Sequence, residues 1–184
     1  MRIEVTSKGF EKAMAQLDPK AMERAMIEAT NRSADKARTA GIKATRETYN
    51  IPARRLRDKS KVIPARSGQL KASIIAQDRK ATSLAHFGAR QVGRGVTVAV
   101  KRGERKLIPG GFLVTMRSGF TGVFWRAKRG GGRVARYPIR ALYGPSVAVL
   151  FGTKRTAEVI QETTRKSWPA TFFSRYSHHL KRSR

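Results

Sequence analysis

Catalysis needs nucleophiles, acid/base pairs or metal ligands at workable spacing, and this chain is poor in all three. Its 184 residues include no cysteine, three histidines and twelve carboxylates, against forty lysines and arginines. Without cysteine there is no disulfide, no thiolate nucleophile and no Cys-based zinc site. His178 and His179 are adjacent, so on a helix they point about 100° apart and cannot share one metal as an i, i+4 pair does. They read as surface residues of a terminal helix, and His86 in "SLAHFGA" reads as an ordinary strand residue. Seven carboxylates lie in the first fifty positions and Asp58 follows; only Asp78 and Glu104 fall between Lys59 and Arg155, and Glu158 and Glu162 complete the set. Paired carboxylates for acid/base work or for Mg²⁺ are hard to assemble from that supply, although glutamates of distant helices could in principle meet. "KRGGGR" lacks the strand-to-helix context of a P-loop or of a dinucleotide fingerprint. The expectation is a protein that is not an enzyme, with no metal and no cofactor.

What the chain has in excess is positive charge. A formal net charge of +28 implies a phosphate-rich neighbour or an acidic protein partner. Three segments could neutralise phosphates: "PARRLRDKSK" with Arg54, Arg55 and Arg57, "KRGERK", and "WRAKRGGGR" with Arg126, Lys128, Arg129 and Arg133. Their glycines would let loops follow a nucleic-acid backbone closely. The same residues could instead be solvated loop tips or meet acidic faces of sister subunits. Aromatics are not interleaved with them as in a single-strand binder, Trp125 excepted, and Phe124 and Trp125 read as core and rim of a sheet. No apolar run approaches the roughly 20 residues that span a bilayer, and "MRIEVTSKGFEKAMAQL" has no apolar signal core, so no membrane is expected and the chain reads as soluble and cytoplasmic.

These residues need elements to carry them. The first six residues alternate as a short strand does, and "SKGFEKAMAQL" reads as one or two helical turns with Phe10, Met14 and Leu17 on one face. Asp18-Pro19 is an N-cap followed by proline at the first helical position. Met22, Met26, Ala29, Ser33, Ala37, Ala40 and Ala44 then recur at steps of three and four, predicting a long helix to about Tyr49, ended by Asn50 and Pro52. A mostly alanine stripe lets another backbone approach closely. "PARRLRDKSK" reads as a short basic helix or loop. From Ser67 to about Phe151, the runs "LKASIIA", "SLAHFGA", "GVTVAVK", "GFLVTM" and "GVFWRA" predict an antiparallel sheet, with "ARQVGRG" and "KRGGGR" projecting as mobile hairpin loops. "TKRTAEVIQETTRKSW" predicts a helix with Thr153 as cap and Ala157, Ile160 and Thr164 on one face. A second helix beginning at Pro169 follows, with Phe172, Phe173, Tyr176 and Leu180 at helical spacing. The fold class is α+β: a long N-terminal helix and C-terminal helices packed on a mainly antiparallel sheet with protruding basic loops. It reads as one domain with a helical part (1–58), a β-rich part (59–151) and C-terminal helices (152–184).

"IPGGFLV" (Ile108 to Val114), "GVFWRA" (Gly122 to Ala127) and "RYPIRALYGPSV" (Arg136 to Val147) occur in that order before a C-terminal helix. Together they resemble the phage minor tail protein Z family, also called tail completion proteins. "ATNRSADKAR" (Ala29 to Arg38) is similar to the Ala-x-Asn-Arg-x-Ala element on that family's first long helix. The resemblance covers about Phe10 to Glu162. It implies a structural protein of a long-tailed phage or prophage, acting at the head-proximal end of the tail, where a filled head is joined with its DNA correctly placed. No catalytic residues come with it. The implied partners are the tail tube or tail terminator on one side, the head-tail connector on the other, sister subunits in a ring, and double-stranded DNA held non-specifically in the lumen. The implied location is the virion neck, assembled in the host cytoplasm. In that role "RYPIRALYGPSV" reads as scaffold: Pro138 and Pro145 fix a strand-to-helix crossover, Gly144 with Pro145 makes its turn, and Tyr137, Ile139, Leu142 and Tyr143 pack. The composition alone also fits a free basic RNA- or DNA-binding protein.

Overall fold

The computed structural model describes residues 2–6, 18–78, 81–126 and 138–183. Asp18 closes the start of α1 (Pro19–Thr48): its carboxylate accepts from the backbone N–H of Lys20 at 3.0 Å and of Ala21 at 3.3 Å. Pro19 sits in the first turn, where a missing N–H leaves nothing unsatisfied. The helix ends where Tyr49 turns extended, three residues before Pro52. Met26, Ala29, Ser33, Ala37 and Ala44 are buried, whereas Met22 and Ala40 are half-buried. Ala21, Ala25, Ala34, Gly41 and Thr45 are buried too, because α1 packs on two partners, β3 (Lys71–Ala76) and α4 (Lys154–Ser183).

Residues of the Ala29–Arg38 element tie α1 to the next segment. The Asn31 side chain donates to the Ala65 carbonyl at 3.1 Å and accepts from the Ala65 N–H at 2.7 Å. Arg38 donates to Ser60 Oγ and to the Arg57 carbonyl, both at 3.1 Å.

The C-terminal region is one helix and not two, with Pro169 inside it. Proline cannot donate to the carbonyl four residues back, a local cost of about 3 kcal/mol, so packing on either side must hold α4 together. Before the proline, Ile160 is fully buried against Gly41, where a Cβ would lie 2.7 Å from Ile160 Cδ1. Beyond it, Phe172 lies between Trp168 at 5.3 Å and Tyr176 at 5.9 Å in near-parallel stacks. This column covers Ala21, Ala25, Met26 and Ala29 of α1, and Trp168 Nε1 donates to Thr30 Oγ1 at 3.1 Å. At the start of α4 the Thr153 carbonyl accepts from Ala157 N–H at 3.0 Å. Its hydroxyl does not cap the helix but donates to the buried Thr156 Oγ1 at 3.0 Å, itself 3.3 Å from Thr45 Oγ1 on α1.

Among the described residues the strands pair antiparallel and are split into three small sheets. In the first, β1 (Arg2–Thr6) and β2 (Ser60–Ile63) flank β3. In the second, β5 (Arg90–Val92), β6 (Gly95–Val98) and β7 (Lys106–Pro109) run in order. The third has the order β4 (Thr82–Ser83), β10 (Ile139–Gly144), β9 (Thr121–Arg126), β8 (Phe112–Thr115). "SLAHFGA" is therefore not a strand beyond Ser83. That hydroxyl accepts from Ala85 N–H at 3.4 Å and opens a 3₁₀ turn, Leu84–His86, which sends Leu84 and Phe87 into the core. "ARQVGRG" is a fastened hairpin in place of a mobile loop. Gln91 Nε2 donates to the Gly95 carbonyl at 2.9 Å, and its Oε1 accepts from Leu113 N–H of β8 at 2.8 Å. "KRGGGR" and the turns around Phe10, Met14 and Leu17 lie outside the described residues.

The main core runs from Ala34 and Ile42 of α1 through Leu56, Ile74, Val96 and Val123 to Phe151 and Ile160. Phe151 ends α3 (Val147–Phe151), which Ser146 caps by accepting from Val149 N–H at 3.4 Å.

Candidate polyanion and partner interface

Leu56, fully buried, anchors the short helix α2 (Ala53–Lys59) and so decides which of its arginines face out. Arg54 and Arg57 are exposed; Arg54 Nε lies 3.9 Å from Asp58 one turn on. Arg55 turns inward. Its Nη2 is 3.5 Å from Asp78 Oδ2, a carboxylate only 5% exposed, and its Nη1 is 3.5 Å from His86 Nε2. Burial, and then the Arg55 charge, hold the His86 pKa below its ordinary value. Arg55 thus joins α2, the end of β3 and the 3₁₀ turn, and it also lines a cavity of about 650 Å³ with Lys59, Lys61 and Gln77.

Arg126 ends β9 and lies exposed beside an aromatic cluster. Its guanidinium carbon is 5.0 Å from the centre of the Phe112 ring, within cation–π reach. Phe124 stacks on Phe112 at 6.0 Å and meets Phe120 edge-on at 6.2 Å. Across the ladder Arg126 faces Ile139, and Trp125, 41% exposed, faces Arg140. Lys128, Arg129, Arg133 and Tyr137 lie outside the described residues. Pro138 is exposed just before β10, and Ile139 is half-buried. Leu142 packs against the core, but Tyr143 does not, being 51% exposed. Alternation along β10 turns Tyr143 away from the core side that Leu142 and Gly144 face. At Gly144 a Cβ would lie 2.8 Å from the Phe87 ring, and Pro145 leads directly into the Ser146 cap. Arg54, Arg55 and Arg57 therefore stand on α2, just before β2, while Arg126 belongs to the third sheet, so they stand on different elements.

The charge balance of the two halves differs. On the helices, carboxylates meet cations: Glu28 has His179 at 3.1 Å and Arg175 at 3.6 Å, and Glu47 has Arg155 at 3.2 Å. Across 81–126, eight lysines and arginines accompany Glu104 alone. Arg102 and Arg105 there donate to uncharged acceptors, the Arg46 carbonyl at 2.6 Å and the Gly88 carbonyl at 3.1 Å. Sequence reasoning missed the Arg55–Asp78–His86 set and the Gln91 fastening. The one available signal was that Asp78 is an isolated acid in a long basic stretch.

The sequence model of the family described as prophage minor tail protein Z (GPZ) matches residues 7–182, nearly the whole chain. The chain belongs to this family. No curated protein and no solved structure matches it. As a minor tail protein Z, it has a structural role in a phage tail. The stretches that carry the resemblance fall on β7 and β8, on β9, and on β10 with the start of α3, so three of them meet as neighbouring strands of one sheet. Among the described residues no group of three or more His, Asp or Glu side chains could hold a metal ion, and no helix is long and apolar enough to cross a membrane.

Proposed function

We propose that this minor tail protein is a tail completion protein at the head-proximal end of the tail. Its subunits stand in a ring between the tail tube or terminator and the head-tail connector. Double-stranded DNA occupies the lumen, and the ring is needed to join a filled head with that DNA in place. The protein does this without catalysis, in the virion neck, after assembly in the host cytoplasm. The observation that supports this reading is the uneven neutralisation of charge. Carboxylates of the paired helices meet cations across the helix contact, whereas in 81–126 Glu104 alone accompanies eight lysines and arginines, and Arg102 and Arg105 rest on neutral acceptors. A ring of such subunits would attract a polyanion. Because a densely basic lining would also hold DNA back, some of these arginines face the lumen and others meet acidic neighbours.

Electron cryomicroscopy of particles from the producing strain tests this. Density for the chain as a ring at the top of the tail is expected. Absence from every particle would leave the free nucleic-acid-binding reading in its place. Replacing Arg126, Lys128, Arg129 and Arg133 together by Ser is expected to lower head joining and infectivity. Unchanged joining would remove those four residues from the interface.

A further inference from the structure

Asn50 leaves α1 and is fixed by its own N–H to the Val100 carbonyl at 2.9 Å; two residues on, Arg102 N–H returns to the Thr48 carbonyl at 2.9 Å. The end of α1 and the 101–106 turn are thereby locked together. Gly103, at φ +82°, makes a left-handed step that L side chains resist. The charges of this turn separate into two groups. Lys101 pairs with Glu104 at 3.9 Å and lines one recess with it. Arg102 and Arg105 line another, of about 330 Å³, with Asn50, Ala99 and Gly103, and no carboxylate is among these lining residues.

Both guanidiniums are held in place by neutral atoms. Arg102 uses Nε on the Arg46 carbonyl, and Arg105 uses Nη1 on the Gly88 carbonyl and on Thr97 Oγ1 at 3.1 Å. Their charge is undiminished, and the Nη groups of Arg102, with Nε and Nη2 of Arg105, have no acceptor among the described residues. The Asn50 amide lies close by as well. At Gly88, φ +61°, a Cβ would fall 2.5 Å from Asn50 Nδ2 and 3.8 Å from Arg105 Nη2. A side chain there would occupy the space into which these two donors come together.

We propose that this pocket is an oxyanion site that takes one backbone phosphate of duplex DNA. The inference rests on the proposed function for the presence of DNA. Two positioned guanidiniums and an amide, with no carboxylate among them, supply more donors than the two coplanar oxygens of a carboxylate use. A tetrahedral phosphate presents oxygens in several directions and carries the charge that this lining lacks. Attachment of the arginines to backbone carbonyls also means that little side-chain freedom is lost on binding.

The test uses the full chain labelled with ¹⁵N, inorganic phosphate, and a duplex DNA of mixed sequence. Phosphate is expected to shift the Asn50 side-chain amide signal saturably, which chloride at equal ionic strength does not. The duplex is expected to shift the same signal, and phosphate to compete with it. Asn50→Asp, nearly isosteric, leaves the arginine contacts intact while placing a negative charge in the pocket. It and Arg102→Gln/Arg105→Gln should each weaken duplex binding roughly ten- to hundredfold. Each should also make the log K against log salt slope shallower by about 0.9, the share of one phosphate. Arg90→Gln/Arg94→Gln removes the same charge elsewhere and should leave the Asn50 response intact. Wild-type duplex affinity in Asn50→Asp, or an Asn50 signal indifferent to phosphate, would overturn the proposal. A response to phosphate but not to duplex would overturn the DNA assignment and leave a free-phosphate site. None of these results bears on whether the chain forms a ring at the top of the tail, which particle imaging decides.

Discussion

The paired helices and the β region below them solve the same electrostatic problem in opposite ways. On α1 and α4, Glu28 and Glu47 each reach across to cations of the other helix, and Phe172 stacks between two further rings. Across 81–126, arginines are fixed by carbonyls and a hydroxyl, and aromatic side chains such as Trp125 and Phe120 remain exposed. Ion pairs hold the two helices to each other, whereas Arg102 and Arg105 of 81–126 are immobilised by neutral atoms without being paired among the described residues.

The widest separation between the two regions should come from Phe172→Ala. It removes the middle ring of the stack and should cost about 3–5 kcal/mol in urea denaturation. Hydrogen exchange should quicken in the last turns of α4 and the first half of α1 while β8 to β10 stay protected. Equal loss in the sheets would mean that the two regions unfold as one unit and that the contrast is electrostatic only. Asp78→Asn should cost about 2 kcal/mol, since it leaves the mostly buried Arg55 charge without its carboxylate. It reports on the joint between the regions. Glu28→Gln should cost less than about 1 kcal/mol, because Glu28 is 37% exposed and its pairs are screened by solvent. Added salt should shrink even that difference.

The smallest effect is one of pH. His86 has a folded pKa below its ordinary 6.5, so below about that pH the unfolded chain takes up a proton that the folded chain refuses. Stability should therefore decline as pH falls from 6.5 through the folded pKa and be level above it. His86→Gln should remove that part of the slope, as read from urea midpoints at several pH values. Superimposable profiles would place His86 equally in water in both states.

How far these regions could be read from sequence follows from how local their causes are. Asp18-Pro19 and the three-and-four spacing are local, and α1 begins at Pro19 and ends within one residue of Tyr49. Pro169 is a local stop signal, and it is overridden because Trp168, Phe172 and Tyr176 grip a helix more than a hundred residues earlier. "SLAHFGA" alternates as a strand does, yet the place for Phe87 against Gly144 is set by a segment nearly sixty residues on. In the candidate interface, Arg54, Arg57 and Arg126 are exposed, while Arg55 points inward for a reason twenty-three residues away, at Asp78. "KRGERK" was legible as a basic turn. Which of its cations shared a recess depended on Asn50 and Gly88, which no spacing within the turn reveals.

Gln91 has a consequence beyond the fold. Its side-chain amide has the donor and acceptor of a peptide unit. With Nε2 on the Gly95 carbonyl of β6 and Oε1 on Leu113 N–H, it takes one backbone donor on the rim of β8, the edge strand of its sheet. An open rim of that kind is where identical chains zip together into insoluble ladders. Satisfying that donor within the chain leaves one group fewer for backbone pairing with a second copy. Gln91→Ala should accordingly be tolerated in dilute solution and turn the protein aggregation-prone as it is concentrated.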